Sequence, residues 1–185
     1  QYHTVLPVWL AAGHRVVAPD LLGFGRSDKP KKEAAHSVNW HRQTLLELVE
    51  RLDLRNVVLV VPPGQGGLLG LTLPPAAPHR YRGLLVLDAL QPADTTAYDA
   101  PFPDRGHGAA LRVFPALLPH LLDDEGDEVS RTTRDFWHNT WEGRSLMVVG
   151  APGTVPGLPA IRGCPALRVV PPAGLGVPKQ MAEVA

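Results

Sequence analysis

Two rhythms of apolar residues alternate along this chain. Short continuous runs occur at Arg15–Pro19 (RVVAP), Val57–Val61 (VVLVV), Gly83–Asp88 (GLLVLD), Ser145–Val149 (SLMVV) and Ala166–Val170 (ALRVV). A run this brief and this uniformly apolar reads as a strand covered on both faces, as in a parallel sheet. Between the runs lie patterns with helical spacing. Val38–Leu54 places Leu45, Leu48, Val49 and Leu52 on one side with charges between them, which predicts an amphipathic helix. Thr4–Ala12 reads as the tail of a helix stopped by Gly13, and Gly67–Ala77 as a helix shortened by Pro74 and Pro75. Ala109–Leu122 and Glu128–Trp141 complete the helical set, separated by the acidic turn Asp123–Asp127. Gln91–Arg105 is polar and broken by prolines, an excursion from the sheet. Strands alternating with helices predict an α/β fold with a parallel sheet, and no internal repeat is present.

The most informative stretch is Asn56–Leu73, NVVLVVPPGQGGLLGLTL. Pro62, Pro63 and Gly64 end the strand, because proline lacks an N–H and glycine tolerates positive φ. Gly66 and Gly67 allow the following helix to lie close to the sheet. Strand, sharp turn and helix together have the shape of a nucleophile elbow. The turn itself reads Pro-Pro-Gly-Gln-Gly, with no Ser, Cys or Asp in it.

Composition narrows the setting. A chain of 185 residues fits one domain with a real core. Eighteen basic and eighteen acidic residues cancel, so nothing draws the chain to nucleic acid or an anionic membrane. No apolar run approaches the ~18 residues of a membrane span, and the N-terminal stretch lacks the basic flank of a signal peptide. The single cysteine, Cys164, excludes an internal disulfide and fits a reducing, cytoplasmic compartment. Twenty prolines and eighteen glycines crowd into Pro62–Gly67, Pro152–Pro159 and Pro171–Pro178.

With these elements in place, the phrases VVAPDLLGFGRSDKP, HRQTLLELVERLDLRNVVLVV, GGLLGLTLP, AYDAPFPD, FWHNTWEGRSLMVVG and RGCP resemble the haloalkane dehalogenases of the α/β-hydrolase superfamily. The likeness is densest from Gly13 to Leu90. It implies an α/β-hydrolase core that hydrolyses carbon–halogen bonds in small alkanes without a cofactor. An elbow aspartate displaces the halide, a histidine-activated water cleaves the resulting ester, a second carboxylate orients the histidine, and Trp or Asn donors hold the halide. This sequence departs from that pattern at nearly every chemical position. Pro-Pro-Gly-Gln stands where the family has Gln-Asp-Trp, so the nucleophile is gone and Gln65 corresponds best to the halide-holding, substrate-binding Trp. Leu175 follows Ala173-Gly174 in place of the histidine. The orienting acid should fall near Gly153, and the oxyanion loop would lie upstream of Gln1. Asp88, at the end of its strand, matches the position where some family members carry the orienting carboxylate, and it is the one catalytic candidate. An Asp at a strand end also serves simply to cap the next element.

The remaining candidates have plainer readings. His41 belongs to the family phrase HRQ and reads as structural. His79, His107, His120 and His138 read as surface or packing residues. Ser27 in GFGRSD reads as a loop-stabilising hydroxyl, and the phosphate-loop resemblance of GFGRS lacks the following Lys-Ser/Thr. Cys164 aligns with a structural cysteine, and Trp137 and Trp141, at helical spacing, read as core.

The expected architecture is therefore an α/β-hydrolase-like parallel sheet core, N-terminally truncated, with a reduced helical cap. Residues 1–90 and 144–185 would form the core and residues 91–143 the reduced cap and helical segment. Three functional readings follow: a dehalogenase-like hydrolase inactive for want of nucleophile, base and oxyanion loop; a non-catalytic relative binding a small apolar or halogenated molecule or a protein; and the product of a damaged gene. For the last, one extra C before the codons of Gln-Asp would read Pro-Gly, as at Pro63-Gly64. In the strand order the resemblance implies, the strand between Arg15–Pro19 and Val57–Val61 would precede Gln1. Its place would stand empty, and the open strand edges would favour self-association.

Overall fold

A computed structural model describes residues 5–62, 65–87, 102–117, 128–149, 160–164 and 168–169. Four parallel strands, β1 (Val57–Val61), β2 (Tyr81–Leu87), β3 (Arg144–Val149) and β4 (Arg168–Val169), lie in the order β1-β2-β3-β4. Leu59 pairs with Leu84, Leu85 with Leu146, and Val149 with Val169, after a local slip at Val57–Val58. The continuous apolar runs are explained by what covers them. Leu84 and Val86 face one cluster, with Leu69, Leu71, Phe136, Trp137 and Trp141. Leu85 and Leu87 face another, with Val5, Trp9, Leu146 and Val148. Successive residues point to opposite faces, and both faces are buried.

The helices are α1 (Leu6–Ala11), α2 (Val38–Arg51), α3 (Gln65–Leu71), α4 (Ala109–Leu117) and α5 (Glu128–Asp135). Gly13 closes α1 in the left-handed region, with φ +84°, and its N–H donates to Leu10 O. Ser37 caps α2 by accepting from Trp40 N at 3.2 Å. After α3 a 3-10 turn follows at Pro74–Ala76, so the expected helix to Ala77 breaks where its prolines stand. A π-turn, Phe136–Thr140, continues α5. The parts of the expected helix Ala109–Leu122 beyond Leu117, and the acidic turn, lie outside the described residues.

One expected strand does not form. Arg15–Pro19 makes no ladder. A strand exists only with a hydrogen-bonded neighbour, and β1, its nearest candidate in the implied order, bonds to β2 alone among the described residues. Val16 still packs on the cluster that includes Val58 and Val60, while Val17 is 37% exposed. The two segments are not laddered together, and no described strand fills the place between them.

Candidate active site

The elbow is built as its glycines require. A Cβ on Gly67 would overlap the Pro62 carbonyl, and one on Gly70 would come within 3.1 Å of Val61 Cγ1. Helix α3 therefore sits directly on the end of β1. Being only seven residues long, it depends on outside donors for its last carbonyls. Leu69 O accepts the Thr72 hydroxyl at 2.7 Å, and Gly70 O accepts Leu73 N at 3.1 Å. Leu71 O accepts the indole N–H of Trp137 at 3.0 Å, and Thr72 O accepts Arg42 Nε at 3.3 Å. Residues from α2 and from the turn after α5 thus hold the elbow helix in place.

Trp137 is fully buried and its N–H is committed to Leu71, while the N–H of Trp141 donates to Ser145 Oγ at 2.8 Å. Both are core residues, as their spacing predicts. Neither offers a free donor to an anion.

Of the two residues singled out for the site, neither side chain can be placed. Gln65 opens α3, but its side chain lies outside the described residues. Asp88 follows Leu87, the last residue of β2, and is itself outside them, as are Gly153 and Leu175. Gly66 has a described backbone only.

The glycine-rich loop after Arg15–Pro19 is ordered by Asp20. Its carboxylate accepts Arg26 N at 2.9 Å, its carbonyl accepts the Ser27 hydroxyl at 2.7 Å, and Gly23 N donates to Asp28 O at 2.8 Å. Gly25, with φ +49°, leaves the space that Asp20's carboxyl occupies. The Ser27 hydroxyl is spent on the loop, as expected, and is not poised as a nucleophile. Cys164 is half-buried, and burial pushes its thiol above the ordinary range. His107 pairs with Asp104 at 2.7 Å, whose carboxyl the His107 backbone N–H, then its ring, pulls down to about 2.

A cavity of about 270 Å³ opens between this loop and α2, lined by Asp20, Leu21, Ser27, His41, Leu45 and Leu48 among others. His41 in its wall belongs to a pair that the sequence reading missed. His36 and His41 are 4% and 2% exposed, with His36 Nδ1 3.1 Å from His41 Nε2 and His36 Nε2 3.1 Å from Pro30 O. The signal was present. With Ser37 as N-cap, these residues occupy the N′ and N4 positions, where a staple pair meets across the first turn. Desolvation, then the neighbouring His36, lowers His41 to about 4. Among the described residues no group of three or more His, Cys, Asp or Glu could hold a metal ion, and no helix is long and apolar enough to cross a membrane.

A parallel sheet whose elbow helix follows its first paired strand is an arrangement that an α/β-hydrolase core has, and the sequence profile of the alpha/beta hydrolase fold matches residues 1–144. Haloalkane dehalogenase from Psychrobacter cryohalolentis is 31% identical over 169 residues, 70% of this chain and 55% of that one. Haloalkane dehalogenase 1 of Mycobacterium tuberculosis is 30% identical over 188 residues, 80% of this chain and 62% of that one. The solved tetrameric haloalkane dehalogenase DpaA from Paraglaciecola agarilytica superposes with a TM-score of 0.80 at 33% identity, covering 99% of this chain and 76% of that one. The chain belongs to the haloalkane dehalogenase-like family of α/β-hydrolases. It spans 55% to 62% of the length of these two curated relatives.

Proposed function

We propose that this chain is a haloalkane dehalogenase-like hydrolase by descent that does not itself cleave carbon–halogen bonds. The observation that carries the reading is the elbow segment from the end of β1 into the first turn of α3, Pro62-Pro63-Gly64-Gln65-Gly66-Gly67, which holds no carboxylate, thiol or hydroxyl. Displacement of halide requires an oxygen or sulfur nucleophile that forms a bond to carbon as the carbon–halogen bond breaks, and a base to activate the water that follows. Support also comes from the committed indole N–H groups of Trp137 and Trp141, neither of which is free to stabilise a departing anion. In a rebuilt site Asp88 would be the orienting carboxylate and the Gln65 amide a halide donor. Residues 1–90 and 144–185 would form the core, with 91–143 as the reduced cap. The expected result is no halide release from short chlorinated or brominated alkanes above buffer. Sustained turnover by the purified chain that Asp88→Asn abolishes would overturn the proposal.

The cavity beside α2 favours a second reading, that of a non-catalytic binder of a small apolar or halogenated molecule. Its volume lies just below the usual range of ligand pockets, ~300–1,000 Å³. Saturable stabilisation by 1,2-dibromoethane in a thermal melt, lost on Leu45→Arg, would support it; no shift would reject it. Self-association belongs to the same proposal, because among the described residues the five-residue apolar strand β1 is paired on one edge alone. Sedimentation showing a monomer at all accessible concentrations would remove it.

A further inference from the structure

The buried His36–His41 contact constrains its own protonation. A carbonyl oxygen only accepts, so the nitrogen of His36 that faces Pro30 O carries a proton. The other nitrogen of a neutral His36 is then a lone-pair acceptor, and His41 Nε2–H must donate to it across 3.1 Å. One further proton can be carried on His41 Nδ1 without disturbing this bond, at the cost of a charge in a buried place. A second cannot. It would occupy His36 Nδ1, set N–H against N–H, and place two like charges in near-parallel rings whose centres are 5.3 Å apart.

What these rings hold together is more than one turn of helix. Pro30 belongs to the glycine-rich loop, and both rings are based at the start of α2. Helix α4 closes over them: Phe114 stands edge-on to His41 at 4.7 Å and to Phe24 at 4.8 Å. Ala110 fills the space left by the missing side chain of Gly23, where His36 Cε1 also lies. Trp40 covers both imidazoles from the α2 side.

The charged groups around the pair are few. The cavity beside His41 brings Asp20 from the loop, and Glu47 and Arg51 from α2, the latter two paired at 3.2 Å. From α4 comes Arg112, held at 2.6 Å by Glu33 of the short turn before α2. Lys29 of the loop donates to Gly25 O and Ser27 O, and Arg42 of α2 to Thr72 O. Among the described residues no carboxylate forms an ion pair with either ring to offset a charge placed there.

We propose that His36 and His41 form an acid-sensitive latch, which fastens α4 and the glycine-rich loop to α2 while the His36 Nδ1 acceptor is bare and releases them when both rings become fully protonated. The sign follows from linkage. A free imidazole has a pKa of ~6.5, whereas the closed contact uses the His36 Nδ1 lone pair that a second added proton would need. Opening therefore takes up protons and grows as pH falls. Between pH 7.5 and 5.5 the opening constant should rise about tenfold if one proton is taken up and about a hundredfold if two are.

Amide hydrogen exchange on the full chain, corrected for the intrinsic pH dependence of exchange, reads this directly. The expected result is a ten- to hundredfold loss of protection in peptides covering residues 20–30 and 109–117, with β1 and β2 still protected. His41→Gln keeps a donor toward His36 and removes one titrating ring, so the pH response should shrink to tenfold or less. Loss of protection spread equally over the sheet, or a response above tenfold in His41→Gln, would overturn the proposal. Should that variant fail to fold, ring nitrogen shifts of the parent decide: His36 and His41 both titrating normally near pH 6.5 while residues 109–117 stay protected would refute the latch.

Discussion

The elbow helix gives the sharpest stability test. Trp137→Phe removes one indole N–H and part of a fully buried ring. Its partner, Leu71 O, lies at the end of α3 and within a residue that is itself fully buried, so water cannot replace the donor. An orphaned buried carbonyl costs ~1–3 kcal/mol, and the smaller ring leaves a void worth about 1 kcal/mol on the scale of core truncations. The sum, roughly 2–4 kcal/mol, is a large share of the ~5–15 kcal/mol that holds a domain together. Trp141→Phe is the matched control. Its ring is also buried and its N–H also donates, but to the Ser145 hydroxyl, which keeps its own O–H and can reorient when the indole donor is lost. Its loss should be smaller by about 1 kcal/mol or more. Urea unfolding followed by far-UV circular dichroism measures both, provided the slope of free energy against urea is unchanged. A Trp137→Phe variant within about 0.5 kcal/mol of the parent, or no weaker than Trp141→Phe, would refute the view that this indole holds the elbow helix.

Two further outcomes are expected from the same structure. Gly67→Ala and Gly70→Ala each gain about 1 kcal/mol of helix propensity, yet Gly67→Ala should be destabilised because its new methyl meets the immovable Pro62 carbonyl. Gly70→Ala meets only side-chain methyls, of Val61 and Leu59, and should be near neutral; equal midpoints for the two in urea would contradict the close approach. Cys164 should alkylate with iodoacetamide at least tenfold more slowly in the folded chain than in urea at pH 7.5, and faster as pH rises, since burial raises its thiol. Equal rates in both states would show the thiol to be exposed.

The order of elements was legible in the residues themselves. Runs such as Val57–Val61 and Gly83–Leu87 report that both faces of a strand are covered, and two clusters on opposite faces of the sheet cover them. The spaced leucines of α2 announce an amphipathic helix, and the structure adds Ser37 as its cap. The absence of a nucleophile in Pro62–Gly67 is a matter of composition and needs no coordinates. Pattern reports how a residue is covered, however, and not by what. Arg15–Pro19 has a strand's composition but no bonded neighbour, so it stays outside the sheet. Trp137 could be read as core from its spacing, but only the packing of the turn after α5 on α3 shows that its N–H closes the elbow helix, 66 residues away. His36 and His41 are neighbours in sequence, yet their buried contact exists because α4 and the glycine-rich loop close over the first turn of α2. Local sequence sets backbone preference and the burial of each face, while hydrogen-bond partners and the protonation they permit arise only when distant segments exclude water together.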